Sequence, residues 1–459
     1  MSFSVRAGVA AAALLCAAEP AALGFCGFFV SGAGSSLYNN ASQVVLLRKG
    51  NRTVLTMSNN YQGPPEDFAM VVPVPVVLQK ENVKTLAPDV FKHIDQLSAP
   101  RLVEYWEQDP CYVPPPMKYK RRSMANKKDG AIDEERDDGG GYGVKIEARF
   151  EVGEYQIVIL SAQQSDGLER WLVANKYKIP SGAAAALAPY IRDQMKFFVA
   201  KVDAKKVHKD SHGYVVLSPL RFAYDAQELR LPVRLGLLNA PQGTKGQAPQ
   251  DLIVYVLHPD KRFEVANYKN AFIPSNLEVR DSVRRSFGAF YAELFDETLR
   301  RSGGRAVLTE YAWQTTSCDP CPTPPLSPGD ILTLGGDEVG EGGKADGGES
   351  SGYWNPAPWV LTRLHTRYSA ATLSDDLIFR AAPPVYGGRA DWSGGLGDQG
   401  ATVQSDGTNQ FQGRYIIRHC DRAAPGPSAG GLRAALAGGL RTACLEPAAA
   451  RLRRGAIAA

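Results

Sequence analysis

Hydrophobic and polar positions along the chain follow two rhythms, a period of two that marks half-buried strands and a period near four that marks helices facing a core. Residues 43–48 and 53–58 are short apolar and β-branched runs separated by Lys49-Gly50-Asn51-Arg52. Gly50 and Asn51 tolerate positive φ, so the stretch predicts a hairpin. A third strand is expected over 68–72, stopped by Pro73 and Pro75, which have no backbone donor to give a ladder. Residues 86–106 place Val90, Phe91, Ile94, Leu97, Leu102, Val103 and Trp106 at helical spacing, with Pro100 dividing the run into two helices or kinking one.

Farther along, strands are expected at 144–150 and 155–160 around Gly153, and helices at 167–175 and 183–195. Strands follow at 197–202, 214–219, 228–238, 251–257 and 263–265. Residues 281–301 form the clearest helix, with Val283, Phe287, Phe290, Tyr291, Leu294, Phe295 and Leu299 on one face and Gly303-Gly304 ending it. The last strands are expected at 306–313, 359–367 and 377–380. Helices inserted between groups of strands predict an α+β fold, strand-rich, with largely antiparallel sheets.

Composition divides this pattern into units. A basic run, an acidic run and a triple glycine make 113–143 a charged linker, and 335–352 is a second, Gly-rich one. The units between are an N-terminal sheet plus helix at 25–112, a central α+β unit at 144–334 and C-terminal strands at 353–420. Residues 421–459 form an Ala/Gly/Arg-rich tail. The formal charge of +4 is carried entirely by that tail, which has six Arg against Asp421 and Glu446, so the body is near neutral. A near-neutral body lacks the clustered basic face that nucleic-acid binding requires.

Residues 1–24 read as a signal peptide, with Arg6 in a short positive region, an apolar run over 7–18, and Ala22-Leu23-Gly24 before Phe25. The run is too short to cross a bilayer, and no later segment is apolar enough to do so. The chain is therefore expected to be secreted or periplasmic, with no membrane span once the signal is removed. Export changes the meaning of the cysteines: Cys26, Cys111, Cys318, Cys321, Cys420 and Cys444 remain, and in an oxidising compartment disulfides are the default. Cys111 is expected to pair with Cys318 or Cys321, leaving the other for Cys26 or Cys420, because both segments lie in proline-stiffened loops and a long closed loop constrains the unfolded chain most.

Chemical signatures are sparse. Cys318-Asp319-Pro320-Cys321 has redox spacing, but Pro322, Pro324 and Pro325 oppose the helix start that lowers a catalytic thiol's pKa, so a structural disulfide is the reading. His208 and His212 lie in a polar, glycine-containing turn, and Glu66-Asp67 are adjacent residues that point apart on an extended chain. Tyr353, Trp354, Trp359 and Trp392 are read as packing aromatics. Walker, GxSxG and dinucleotide fingerprints are missing, and no cofactor or metal ligand set is expected.

The blocks QGPPEDFAMVVPVPVVLQKENVKTL, RLVEYWEQDPC, GYGVKIEARFEVGEYQIVILSA, MKFFVAKVD, LRLPVRLGLLNA, EVANYKNAFIPSNLEV, TTSCDPCP and VLTRLHTRY together resemble the bacterial family catalogued as domain of unknown function 2330, over about 25–419. The resemblance implies exported or envelope-associated bacterial proteins without an assigned activity, and it supplies no catalytic residues. The reading is a non-catalytic binding or structural protein with an unknown envelope or extracellular partner. The alternative is an envelope hydrolase whose residues are dispersed along the chain.

Overall fold

A computed structural model describes residues 28–30, 38–62, 69–106, 143–175, 182–203, 205–209, 215–239, 242–243, 246–247, 250–340, 358–369, 371–387 and 407–419. Its backbone is a sheet of ten strands stacked on a sheet of five, with helices on both outer faces.

The predicted hairpin forms the spine of the larger sheet. Tyr38–Lys49 and Arg52–Gln62 pair antiparallel around Gly50, which takes φ +59°. Val44 and Leu46 point to the inter-sheet core while Val45 and Leu47 point to the helix layer, so an unbroken apolar run is what a strand covered on both faces needs. On one side the hairpin continues antiparallel to Leu220–Asp225 and Val83–Thr85. On the other it pairs parallel with Gln250–His258, followed antiparallel by Val360–Tyr368 and Ala306–Gln314. Strands from the N-terminal, central and C-terminal stretches thus share one sheet.

The smaller sheet is antiparallel throughout: Phe28–Val30, Ala69–Val74, Lys196–Val202, Tyr155–Ala162 and Val144–Val152. Its inner face, including Val72, Val74, Ile157, Ile159, Phe198 and Ala200, meets the large sheet, and the Phe198 and Phe222 rings sit 4.5 Å apart across the interface. Helices Ser165–Ala174 and Ala183–Arg192 cover its outer face through Leu168, Trp171, Leu172, Leu187 and Tyr190. Helix Asp89–Ser98 covers the outer face of the large sheet with Val90, Phe91, Ile94 and Leu97. The α+β, strand-rich, largely antiparallel reading holds, with several parallel pairs among the strands.

Four local expectations are corrected. The third strand runs through Pro73 to Val74, because Phe28–Val30 reaches only Ala69 to Val71 and no donor is required on that side of Pro73. Beyond Pro100 the chain is not helix but strand Arg101–Trp106, which pairs parallel with Arg414–His419. The expected strand at 228–238 is short, Leu229–Leu231, and becomes the 3₁₀ turn Arg234–Asn239 after Pro232. The start of the Gly-rich linker is folded: the buried Arg221 donates to Leu332 O (3.1 Å) and Thr333 O (2.8 Å) and pairs with Asp337 (2.7 Å), fixing the turn Gly336–Val339. Among the described residues no helix is long and apolar enough to cross a membrane.

Gly335 sits at φ +120°, and a Cβ there would lie 2.6 Å from Val54 Cβ. Gly335→Ala is expected to destabilise by at least about 2 kcal/mol, combining backbone strain with overpacking. Gly50→Ala, at φ +59° in open space, should cost only about 1 kcal/mol. Urea unfolding of the two variants side by side checks the difference.

Candidate functional site

Residues at every second position of a strand share a face, and on Val360–Tyr368 this places Arg363, His365 and Arg367 together. Tyr255 lies opposite Arg363, and Asp251 opposite Arg367, on the neighbouring strand. This face carries Leu361, Tyr255 and Leu257 into the core beneath helix Asp89–Ser98, so Arg363 and His365 point into the helix layer, while Arg367 stays partly exposed. On the other side, Ala306–Gln314 carries a register shift between Thr309 and Tyr311. Glu310 is the extra residue there, and a bulge of this kind re-aims a side chain that regular pairing would send elsewhere.

The Glu310 side chain is 0% exposed. Arg363 Nε donates to its Oε2 at 2.6 Å, His365 Nδ1 lies 2.7 Å from its Oε1, and the Tyr291 hydroxyl donates to the same Oε1. From Arg363 the chain of charges continues outward: Nη1 reaches Asp95 Oδ1 at 2.5 Å and the Tyr255 hydroxyl at 3.0 Å, and that hydroxyl donates to Asp95 at 2.8 Å. From His365 it continues the other way. Nε2 is 3.5 Å from Asp251 Oδ1, Arg367 grips both Asp251 oxygens at 2.7 and 3.1 Å, and Arg367 Nη1 donates to Asp296. The order Asp95, Arg363, Glu310, His365, Asp251, Arg367, Asp296 alternates in sign from end to end. Both ends are helix residues, Asp95 on Asp89–Ser98 and Asp296 on Phe287–Arg301. Phe295 of the second helix stacks on His365 with centroids 4.0 Å apart.

Electrostatics fixes the charge states. Burial alone would raise the Glu310 carboxyl, but the His365 and Arg363 cations outweigh it and hold the pKa at about 2. Burial opposes a charged His365, and Glu310 and Asp251 outweigh that in turn, so the imidazole lies above its ordinary value. Burial holds the Tyr291 hydroxyl well above its usual range, keeping it a donor. A general acid or base works best with a pKa near the operating pH. Here the acid is held ionised far below neutral pH, and the charged form of the imidazole is favoured by the acids on either side of it. The arrangement is an internal clamp that ties two helices to the sheet.

The residues singled out in the sequence lie elsewhere. Cys318 and Cys321 are bonded to each other, their Cα atoms 5.0 Å apart, which corrects the expectation that one of them pairs with Cys111. The tight proline turn brings the two within disulfide reach. No helix starts at Cys318; Arg101 Nη1 donates to Pro320 O at 2.9 Å and His93 Nε2 lies 2.9 Å from Pro324 O, fastening the loop to helix Asp89–Ser98 and the strand after it. Cys26, Cys111, Cys420 and Cys444 fall outside the described residues, as do Glu66, Asp67, His212, Tyr353, Trp354 and Trp392. His208 opens a two-residue strand paired with Val215–Val216. Trp359 is 1% exposed in the core beneath helix Asp89–Ser98, a packing aromatic as read. Among the described residues no group of three or more His, Cys, Asp or Glu side chains is placed to hold a metal ion. The clamp escaped the sequence reading, although two signals were present: the alternation Arg-x-His-x-Arg in VLTRLHTRY and the lone acid in AVLTEYAW.

Comparison with known proteins agrees with the resemblance seen in the sequence. The family model described as "Uncharacterized protein conserved in bacteria (DUF2330)" matches residues 20–380. No curated protein matches. Among solved structures, the crystal structure of baculovirus P35 aligns over 74% of this chain and 96% of its own at 10% identity and a TM-score of 0.25, too low to carry a fold assignment.

Glu310→Gln keeps the shape but removes the acid that Arg363 and His365 share, leaving each with one counter-charge, Asp95 or Asp251, so it is expected to lower the unfolding free energy by about 3 kcal/mol. The pH dependence has two limbs. The contribution of Glu310, whose pKa is depressed, is complete above the unfolded carboxyl value of about 4.3 and fades as pH falls toward the folded value of about 2. The contribution of His365, whose pKa is raised, is complete below the unfolded imidazole value of about 6.5 and fades as pH rises through the folded value. Denaturant midpoints measured across pH should show both limbs in the wild type, and His365→Gln should remove the imidazole limb while the carboxyl limb remains.

Proposed function

Since the chain belongs to the DUF2330 family of uncharacterised bacterial proteins, we propose that it is an exported protein with a non-catalytic binding or structural role in the bacterial envelope. The observation that carries the reading is the clamp: the densest gathering of acids and bases among the described residues is spent on itself. Glu310 accepts from two cations and a phenol, and Asp251 is gripped by Arg367. Both acids are held ionised by the cations beside them, and those acids in turn favour the charged form of His365. The tripartite pattern of residues 1–24 and the Cys318–Cys321 disulfide support export.

A second reading, an envelope hydrolase, draws on the nearness of Glu310, His365 and Asp251. The two readings separate in one set of measurements. The full chain expressed in a bacterium should appear in the periplasmic or secreted fraction with its N-terminus at Phe25, as read by intact mass. An unprocessed cytoplasmic product would overturn export. Purified protein should leave ester, glycoside and peptide substrates unchanged. Turnover that is abolished by His365→Gln in a protein of unchanged melting temperature would establish the hydrolase instead.

A further inference from the structure

A second polar centre shares no residue with the clamp. Helix Ala183–Arg192, strands Leu229–Leu231 and Leu377–Ala382, and the turn Arg234–Asn239 meet around a pocket of about 390 Å³. Its lining is unusually polar for a small-molecule site, which is ordinarily apolar with a few placed polar groups. Three arginines, Arg192, Arg230 and Arg234, converge on it.

The inner wall is fixed. Asp376 is 6% exposed, and its Oδ1 accepts from the Tyr190 hydroxyl at 2.6 Å and from the Val233 N–H at 3.1 Å. That carboxylate is engaged by the fold. The guanidiniums are less fully used. Each carries five N–H donors, yet Arg230 spends only Nε on Glu228 (2.8 Å) and Nη1 on Asp193 (2.9 Å), and Arg234 spends Nη2 on Asp375. Arg192 is exposed and has no partner among the described residues. The Nε–H of Arg234 is buried with no acceptor among the described residues. A buried donor left unmade is costly, so this side chain is held at the pocket with bonding capacity unspent.

We infer that this pocket binds the oxyanion group of a small ligand, a phosphate or a carboxylate, held by Arg192, Arg230 and Arg234. The carboxylates already present do not close the site. The side chains of Asp193 and Asp375 are 51% and 60% exposed, and ion pairs that open contribute about 0–1 kcal/mol. An oxyanion that enters exchanges them for charge-assisted bonds inside the pocket, and both carboxylates return to water. Planar guanidiniums suit such a group because they offer two parallel donors to two oxygens.

The test uses the full chain and isothermal titration at neutral pH, with inorganic phosphate in one arm and acetate or succinate in the other, each matched by sodium chloride of equal ionic strength. Saturable binding of phosphate, of carboxylate or of both, without a response to chloride, supports the site and says which oxyanion it takes. Arg234→Gln and Arg192→Gln should each weaken binding roughly tenfold, the effect of one lost charged hydrogen bond. Arg192 has no partner to lose, so its variant reports binding independently of folding. Asp375→Asn should tighten binding, since it removes the competitor for Arg234. Absence of saturation in both arms, a response equal to that of chloride, or arginine variants that bind like the wild type would overturn the inference. Because the clamp takes no part, these outcomes leave the proposed non-catalytic role of the clamp to its own test.

Discussion

A carboxylate that no water reaches, Glu310, is the constraint around which the helix-covered face of the large sheet is arranged. Moving such a charge out of water carries a penalty of several kcal/mol, and only close opposite charges with good geometry offset it. The offset here comes from Arg363 and His365 in one strand, brought to the same face by strand alternation. Those cations must be neutralised in turn, and the next partners are Asp95 and Asp251. The chain of alternating charge therefore cannot stop until it reaches residues that water can solvate. It does so at the two helices.

The two helices depend on the clamp to different degrees. Asp89–Ser98 buries Val90, Phe91, Ile94 and Leu97, an apolar stripe sufficient to hold it, and Asp95 sets its rotation and register. Phe287–Arg301 fully buries only Phe295 and Leu299 along fifteen residues. Its attachment rests more heavily on Tyr291 to Glu310, Asp296 to Arg367 and the Phe295 ring on His365. Removal of one member of a buried charge pair costs more than the pair itself contributes, so the second helix is where loss of the clamp is felt first. The stacked sheets beneath are held by ordinary apolar burial across their interface, as the Phe198 and Phe222 contact illustrates.

How much of this could be read in the sequence depends on whether the signal was local. The first hairpin was legible to its turn because Gly50-Asn51 and the flanking β-branched runs are local information. Residues 101–106 were not, since Leu102, Val103 and Trp106 also fit a helical spacing and only the parallel pairing to Arg414–His419, over three hundred residues away, selects a strand. Residues 228–238 failed for another reason: Pro232 ends the strand at Leu231, and the apolar Leu235 and Leu237 pack from a 3₁₀ turn. The clamp was half legible. A period of two shows that Arg363, His365 and Arg367 share a face, but charged residues on a strand are ordinarily assigned to the wet side, and nothing local says that helices cover this one. The bulge that turns Glu310 inward is likewise a property of two paired strands and cannot be seen in either alone.

The contrast between the two polar centres bears on where activity can reside. In the clamp every charge has an opposite charge beside it, and the acid with the least access to solvent has its pKa pushed to about 2. In the arginine pocket the same residue types are arranged oppositely: the carboxylate held by the fold faces inward to Tyr190 and Val233, while the guanidiniums keep donors in reserve and their present partners stand mostly in water. Burial with complete pairing produces rigidity, and partial pairing at a concave surface produces exchange. Coupling to a ligand requires the second condition. The clamp is thus the part that keeps the helix layer in place, and the junction of helix Ala183–Arg192 with the strands at 229–231 and 377–382 is the part of the described surface whose chemistry is free to change partners.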